Sequence, residues 1–158
     1  MNMPAGPQAE AGFQVNRRLA LVCADAPERQ GAVQGALQQL GYVVYLAKSA
    51  DDAVERVRKE PYDVVVLDEQ FQGGTPLDNP VLRAIRVMPM SVRRHMFVAL
   101  LGREFKTFDN MMAFAQSANV VVNVNDLPHL PVVLQRAIAE NDEFYRTFRT
   151  VLQEAGRR

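Results

Sequence analysis

Two acidic positions directly follow short apolar runs. Asp25 comes after "LALVCA", and Asp68, with Glu69 beside it, comes after "YDVVVL". Runs rich in β-branched residues read as strands, so both carboxylates belong to strand ends. Carboxylates gathered at one sheet edge suit a hard divalent cation such as Mg2+, which takes oxygen ligands and keeps several waters. A single strand-end aspartate reads first as ordinary turn chemistry. Two at matched ends of an apolar sheet point to a functional crevice, provided the first and third strands are neighbours.

Other chemistries find less support. The turn after the first strand, "ADAPERQG", has no G-x-G-x-x-G cradle for a pyrophosphate, and no Walker lysine motif occurs. Gly73-Gly74 reads as a flexible loop. His95 opens an apolar run and His129 lies between prolines, so no motif sets either beside a nucleophile. The only cysteine, Cys23, sits inside an apolar run and reads as a small buried hydrophobe. With one cysteine there is neither a disulfide framework nor a four-cysteine zinc site.

Eighteen Lys and Arg balance eighteen Asp and Glu, which argues against a generally basic nucleic-acid binder. The local basic group Arg83, Arg86, Arg93, Arg94 and His95 is either a solvated face or a dock for an acidic partner. No apolar run approaches the roughly 18 residues of a membrane span. Residues 1–16 lack the charged start and apolar block of a secretory signal and read as a loose tail. A reducing cytoplasm is the expected location.

The elements that must position the carboxylates alternate along the chain. Strands are expected at 17–25, 42–46, 62–68, 95–102 and 119–124. The helix of 26–41 spaces Val33, Ala36, Leu37 and Leu40 on one side, with Gly41 just past its end. Ser49 caps a second helix, and Asn79 with Pro80 opens a third. A fourth, within 107–118, carries Met111, Phe114, Ala115 and Ala118 on one face. A long final helix starts near 130. Five strands alternating with five helices make a (βα)5 chain, an α/β doubly wound parallel sheet. Ligands of such sheets bind beyond the carboxyl ends of the strands.

Residues 18–140 resemble the receiver domain of two-component response regulators. "LVCADAPE" is similar to that family's "VVDDDPE", and "YDVVVLDEQFQGG" to its "DLVLLDLMLPG". The resemblance implies a flavodoxin-like strand order 2-1-3-4-5 and places Asp68 at the phosphoacceptor position. It also implies Mg2+ held by Asp25, Asp68 and the backbone of Gln70, and a histidine kinase or signalling protein as partner. Several positions depart from the pattern. Ala24 replaces one of the paired acids, and Leu101 stands where a Thr or Ser is expected. Asn123 or Val124 stands where a Lys is expected. Leucine cannot donate a hydrogen bond, and charge-assisted bonds are worth about 1.5–3 kcal/mol each. A pseudo-receiver with a weakened or lost switch is therefore expected. A phosphorylatable receiver and a small flavodoxin-like nucleotide or ligand binder remain as alternatives.

The final helix outlasts the fold. Leu134, Ala137, Asn141, Phe144, Phe148, Val151 and Ala155 follow a heptad-like three–four spacing, widened by Tyr145 and Leu152. Residues 17–140 are expected to form the domain and 141–158 an extension. Its stripe Phe144, Tyr145, Phe148, Val151 and Leu152 is expected to pair two copies as a homodimer.

Overall fold

Successive side chains of a strand point to opposite faces, so strands apolar at consecutive positions must be covered twice. The computed structural model, which describes residues 18–74 and 78–156, shows how. The strands β1 (Leu19–Cys23), β2 (Val43–Leu46), β3 (Val64–Asp68), β4 (Phe97–Gly102) and β5 (Val120–Asn123) form one sheet in the order β2-β1-β3-β4-β5. Every pairing in it is parallel. The expected doubly wound, flavodoxin-like layout is the one found. The expected N-terminal tail lies outside the described residues.

The helices are α1 (Pro27–Gln39), α2 (Ala50–Lys59), α3 (Pro80–Arg86), α4 (Met90–Arg93), α5 (Asn110–Gln116) and α6 (Leu130–Gly156). Short 3-10 segments occupy Phe71–Gly73 and Val124–His129. The single turn α4 was not expected; Pro89 occupies its N-cap and separates it from α3.

One sheet face carries Ala20, Val22, Val64, Val66, Ala99 and Leu101. It packs on Val33, Ala36 and Leu37 of α1 and on Leu130, Leu134 and Ala137 of α6. The other face carries Leu21, Cys23, Val65, Leu67, Val98 and Leu100, covered by α2, α3 and Ala113 of α5. Burial pushes the Cys23 thiol far above its ordinary pKa, so it is held as a neutral thiol.

Local signals set the helix ends. Ser49 Oγ accepts from the Asp52 N–H at 3.0 Å. Asn79 Oδ1 accepts from the N–H groups of Val81 and Leu82 at 3.0 and 3.2 Å. Gly41, at φ +93°, takes the left-handed position after α1. The fourth helix differs from expectation. Of the face Met111, Phe114, Ala115 and Ala118, only Ala118 packs on the core, while Phe114 is 82% exposed. Asp109 caps α5 through the Met112 N–H, and that start sets a helical phase in which the small Ala113 meets the sheet.

Candidate functional site

Val64, Val66 and Asp68 alternate onto the same side of β3, the side covered by α1. Asp68 is the last strand residue and only 4% exposed. The cation it meets comes from α1. Arg29 precedes Val33 and Leu37 at helical spacing, so it extends the apolar stripe of α1 to the carboxyl end of the sheet. Its Nη1 donates to Asp68 Oδ2 at 2.7 Å, a short charge-assisted contact. Asp68 Oδ1 accepts from the Gln70 N–H at 2.9 Å.

Asp25 is engaged by the loop that follows β3. Its two carboxylate oxygens accept from the Gln72 backbone N–H at 2.6 Å and the Gln72 side-chain amide at 2.9 Å. Gln72 sits at φ +55°, a left-handed conformation uncommon for a residue with a side chain. The two hydrogen bonds to Asp25 hold it there. β1 and β3 are neighbours, as the site requires, and each aspartate is committed to its own partners.

These groups do not fit Mg2+ as arranged. Such an ion keeps several waters but needs a carboxylate oxygen that no competing cation occupies. Here Asp68 already carries a guanidinium on one oxygen and an N–H on the other. Both oxygens of Asp25 are taken, and position 24 is a buried alanine. Among the described residues, no three acidic, His or Cys groups gather as a metal site.

The remaining walls of the crevice are apolar or self-contained. Leu101 pairs with Asp68 across the β3–β4 register and is fully buried. Asn123 spends its side-chain amide on the Arg103 and Phe105 carbonyls, at 3.1 and 2.7 Å. Val124 begins the 3-10 segment. One hydroxyl lies nearby: Thr107 Oγ1 accepts from the Asn123 N–H at 2.9 Å and donates to Asp126 at 2.5 Å. It staples the loop after β4 onto β5.

Glu69 points to the opposite side from Asp68 and is buried against Gly102. A Cβ at Gly102 would come within 2.7 Å of the Glu69 carboxylate. Burial, and then the Asp68 charge, push the Glu69 carboxyl above its ordinary pKa, against a backbone N–H from Arg103.

The basic group around α3 and α4 is dispersed. Arg83 pairs with Asp78, and Arg86 donates to Gln116. Arg93 donates to the carbonyls of Met96 and Ser117 and to Asn119. Arg94 and His95 are exposed, as is His129. The stripe of α6 stands out from the domain. The buried residues of α6 are Leu130, Val133, Leu134 and Ala137. Phe144 is 64% and Phe148 42% exposed, with their rings stacked at 6.4 Å; Val151 and Leu152 are also exposed, and Tyr145 is half-buried.

Arg29, Gln72 and Thr107 were not singled out from the sequence. For Arg29 a signal existed in the stripe shared with Val33 and Leu37. For Gln72 and Thr107 there was none, since their partners lie on other loops.

No family model matches the chain, and no curated protein matches it. Solved structures do. The receiver domain of the sensor histidine kinase PA1611 from Pseudomonas aeruginosa PAO1, crystallised with a magnesium ion coordinated in its active-site cleft, is 22% identical with a TM-score of 0.60. The match covers 78% of this chain and 98% of that one. A response regulator from Thermotoga maritima is 22% identical, TM-score 0.58, over 78% of this chain and 98% of its own. The chemotaxis response regulator CheY4 of Vibrio cholerae is 22% identical, TM-score 0.57, over 77% and 98%. With its strand order and parallel pairing, the chain has the fold of the response-regulator receiver domain.

Proposed function

We propose that the chain is a receiver-like signalling module that acts by protein–protein contact and whose phosphorylation switch is weakened or lost. The observation that carries this reading is the Arg29–Asp68 ion pair. A phosphoryl group arriving at Asp68 Oδ2 must displace the guanidinium bonded to that oxygen, and one arriving at Oδ1 meets the oxygen that accepts from the Gln70 N–H. It would then face the Leu101 side chain in place of a hydroxyl, and Asn123 in place of an ammonium. A modification that gains no differential interaction between two conformations shifts no population between them. No catalytic step is assigned, and Mg2+ is not required.

The output surface in this reading is the distal half of α6. Phe144, Phe148, Val151 and Leu152 form an exposed apolar strip on one helix, which a second copy can bury in a homodimer. A histidine kinase or another signalling protein is the class of partner the fold favours, with residues 17–140 as the domain and 141–158 as the contact extension.

A second reading, phosphorylation of Asp68, is favoured by the retention of that carboxylate at the end of β3. Incubation with acetyl phosphate and Mg2+, followed by intact mass measurement, separates the two. The module reading expects no added phosphate. A single phosphoryl adduct that disappears in Asp68→Asn would replace it with the second reading.

A further inference from the structure

The end of the sheet opposite Asp68 carries a cavity of about 400 Å³. The starts of β1, β3 and β4 form its floor, and α6 beyond Ala137 forms its wall. That volume falls in the usual range for small-molecule sites. Its charge is uneven. Arg18, Arg94, Arg146 and Arg149 line it against two carboxylates, Asp63 and Asp142, in a chain whose overall charge is zero. Asp63 is already spent in part, since its Oδ2 accepts from the Leu19 N–H at 2.8 Å. Arg146 pairs with Glu143 at 2.8 Å. Arg149 has no ion-pair partner among the described residues, and Arg94 uses only its Nε, on the Met90 carbonyl. Guanidinium forks therefore remain available for an anion, and such forks match phosphate geometry.

The rest of the lining mixes aromatic rings with Val64, Met96, Ile138 and Asn141. Tyr42, Tyr145 and Phe148 present rings to the same space, and Arg18 lies over the Tyr42 ring at 5.8 Å. A bare anion would leave those rings unused, and an uncharged ring would leave the arginines unused. We propose that this cavity binds a phosphorylated aromatic small molecule of the nucleoside monophosphate class. Arg94 and Arg149 take the phosphate, and the rings of Tyr145 and Phe148 contact the base. The site lies away from Asp25 and Asp68 and does not depend on the reading given to them. Because one wall is α6, occupancy ties the helix extension to the sheet.

The test is calorimetric titration of the full chain with AMP and GMP in EDTA, alongside adenosine and inorganic phosphate. One nucleotide per chain is expected, with affinity falling as salt rises. Arg94→Ala and Arg149→Ala should each weaken binding at least about tenfold, the loss of one charge-assisted bond. Both are exposed positions, so circular dichroism should show an intact fold, and Asp68→Asn should bind like the parent chain. Absence of nucleotide binding at millimolar concentration overturns the proposal. So does binding that both arginine variants retain, or phosphate or adenosine binding as tightly as the nucleotides.

Discussion

Arg29 reaches from the first turn of α1 to Asp68 at the end of β3, closing a 2.7 Å contact between residues 39 positions apart. The pair is unequal in exposure: the Arg29 side chain is 20% accessible and that of Asp68 5%. Removing the arginine strands the more deeply buried charge. Arg29→Ala should therefore cost about 1–3 kcal/mol in urea denaturation at neutral pH, below the fully buried case because the arginine is partly solvated. Asp68→Asn should cost less, because the guanidinium it releases can turn to solvent. Equal costs, or none for Arg29→Ala, would show that the contact is loose in solution.

The same substitution bears on chemistry. With its counter-ion gone, Asp68 Oδ2 is open to a phosphodonor and to Mg2+. Arg29→Ala is expected to gain a phosphoryl adduct with acetyl phosphate and Mg2+ where the parent chain gains none. Intact mass spectrometry reads this directly, and an unmodified variant would mean that Leu101 and Asn123 suffice to block the reaction.

Gly102 is constrained by its neighbours and not by its backbone angle. A methyl group there would meet the Glu69 carboxylate and the Phe105 ring, both at 2.7 Å. Gly102→Ala should destabilise by about 1–3 kcal/mol, the usual range for overpacking a well-filled site. A midpoint unchanged in urea would mean that both side chains move aside freely.

Glu69 gives the fold a pH dependence of definite sign. Its carboxyl is raised by burial and by the Asp68 charge, so the folded state holds its proton more tightly than the unfolded chain. The stability from that protonation is complete below the ordinary carboxyl range, near pH 4, and is lost as pH rises through the raised value. Glu69→Gln should thus be more stable than the parent at pH 7 to 8, with the difference shrinking toward pH 4. Thermal melts across that range check it, and a gain that grows on acidification would reverse the assignment.

The α6 stripe predicts a concentration-dependent dimer by light scattering. Phe148→Glu or Leu152→Glu should give a monomer with unchanged helix content, because neither side chain belongs to the core. A parent chain that is monomeric at high micromolar concentration would remove the dimer from the proposal.

What the sequence made legible divides by range. The caps at Ser49, Asn79 and Gly41 depend on residues within a few positions, and each could be placed. Strands β3, β4 and β5 were visible because "VVVLD", "FVALLG" and "VVVN" are apolar on consecutive residues, the pattern of a doubly covered sheet. The phase of α5 was not visible, because one buried alanine outweighed a larger face including Met111 and Phe114. The site was half legible. Asp25 and Asp68 stood out as strand-end acids, but their partners Gln72 and Arg29 lie 47 and 39 residues away. Register and helix phase decide such contacts. Had the stripe of Val33 and Leu37 been extended one turn back, a charge on the sheet-facing side of α1 would have called for a buried carboxylate.

The grip of the domain on α6 includes Ile138, packed on the core, and Asn141, which accepts from the Asn119 side-chain amide at 3.4 Å, and the helix runs on from there to Gly156. At about 1.5 Å per residue, the length beyond Asn141 is about 22 Å. A tilt of about 10° at the gripped end would sweep the tip through about 4 Å. The fold thus carries a lever arm: repacking at the gripped end becomes a larger displacement at the tip, which a bound neighbour can feel.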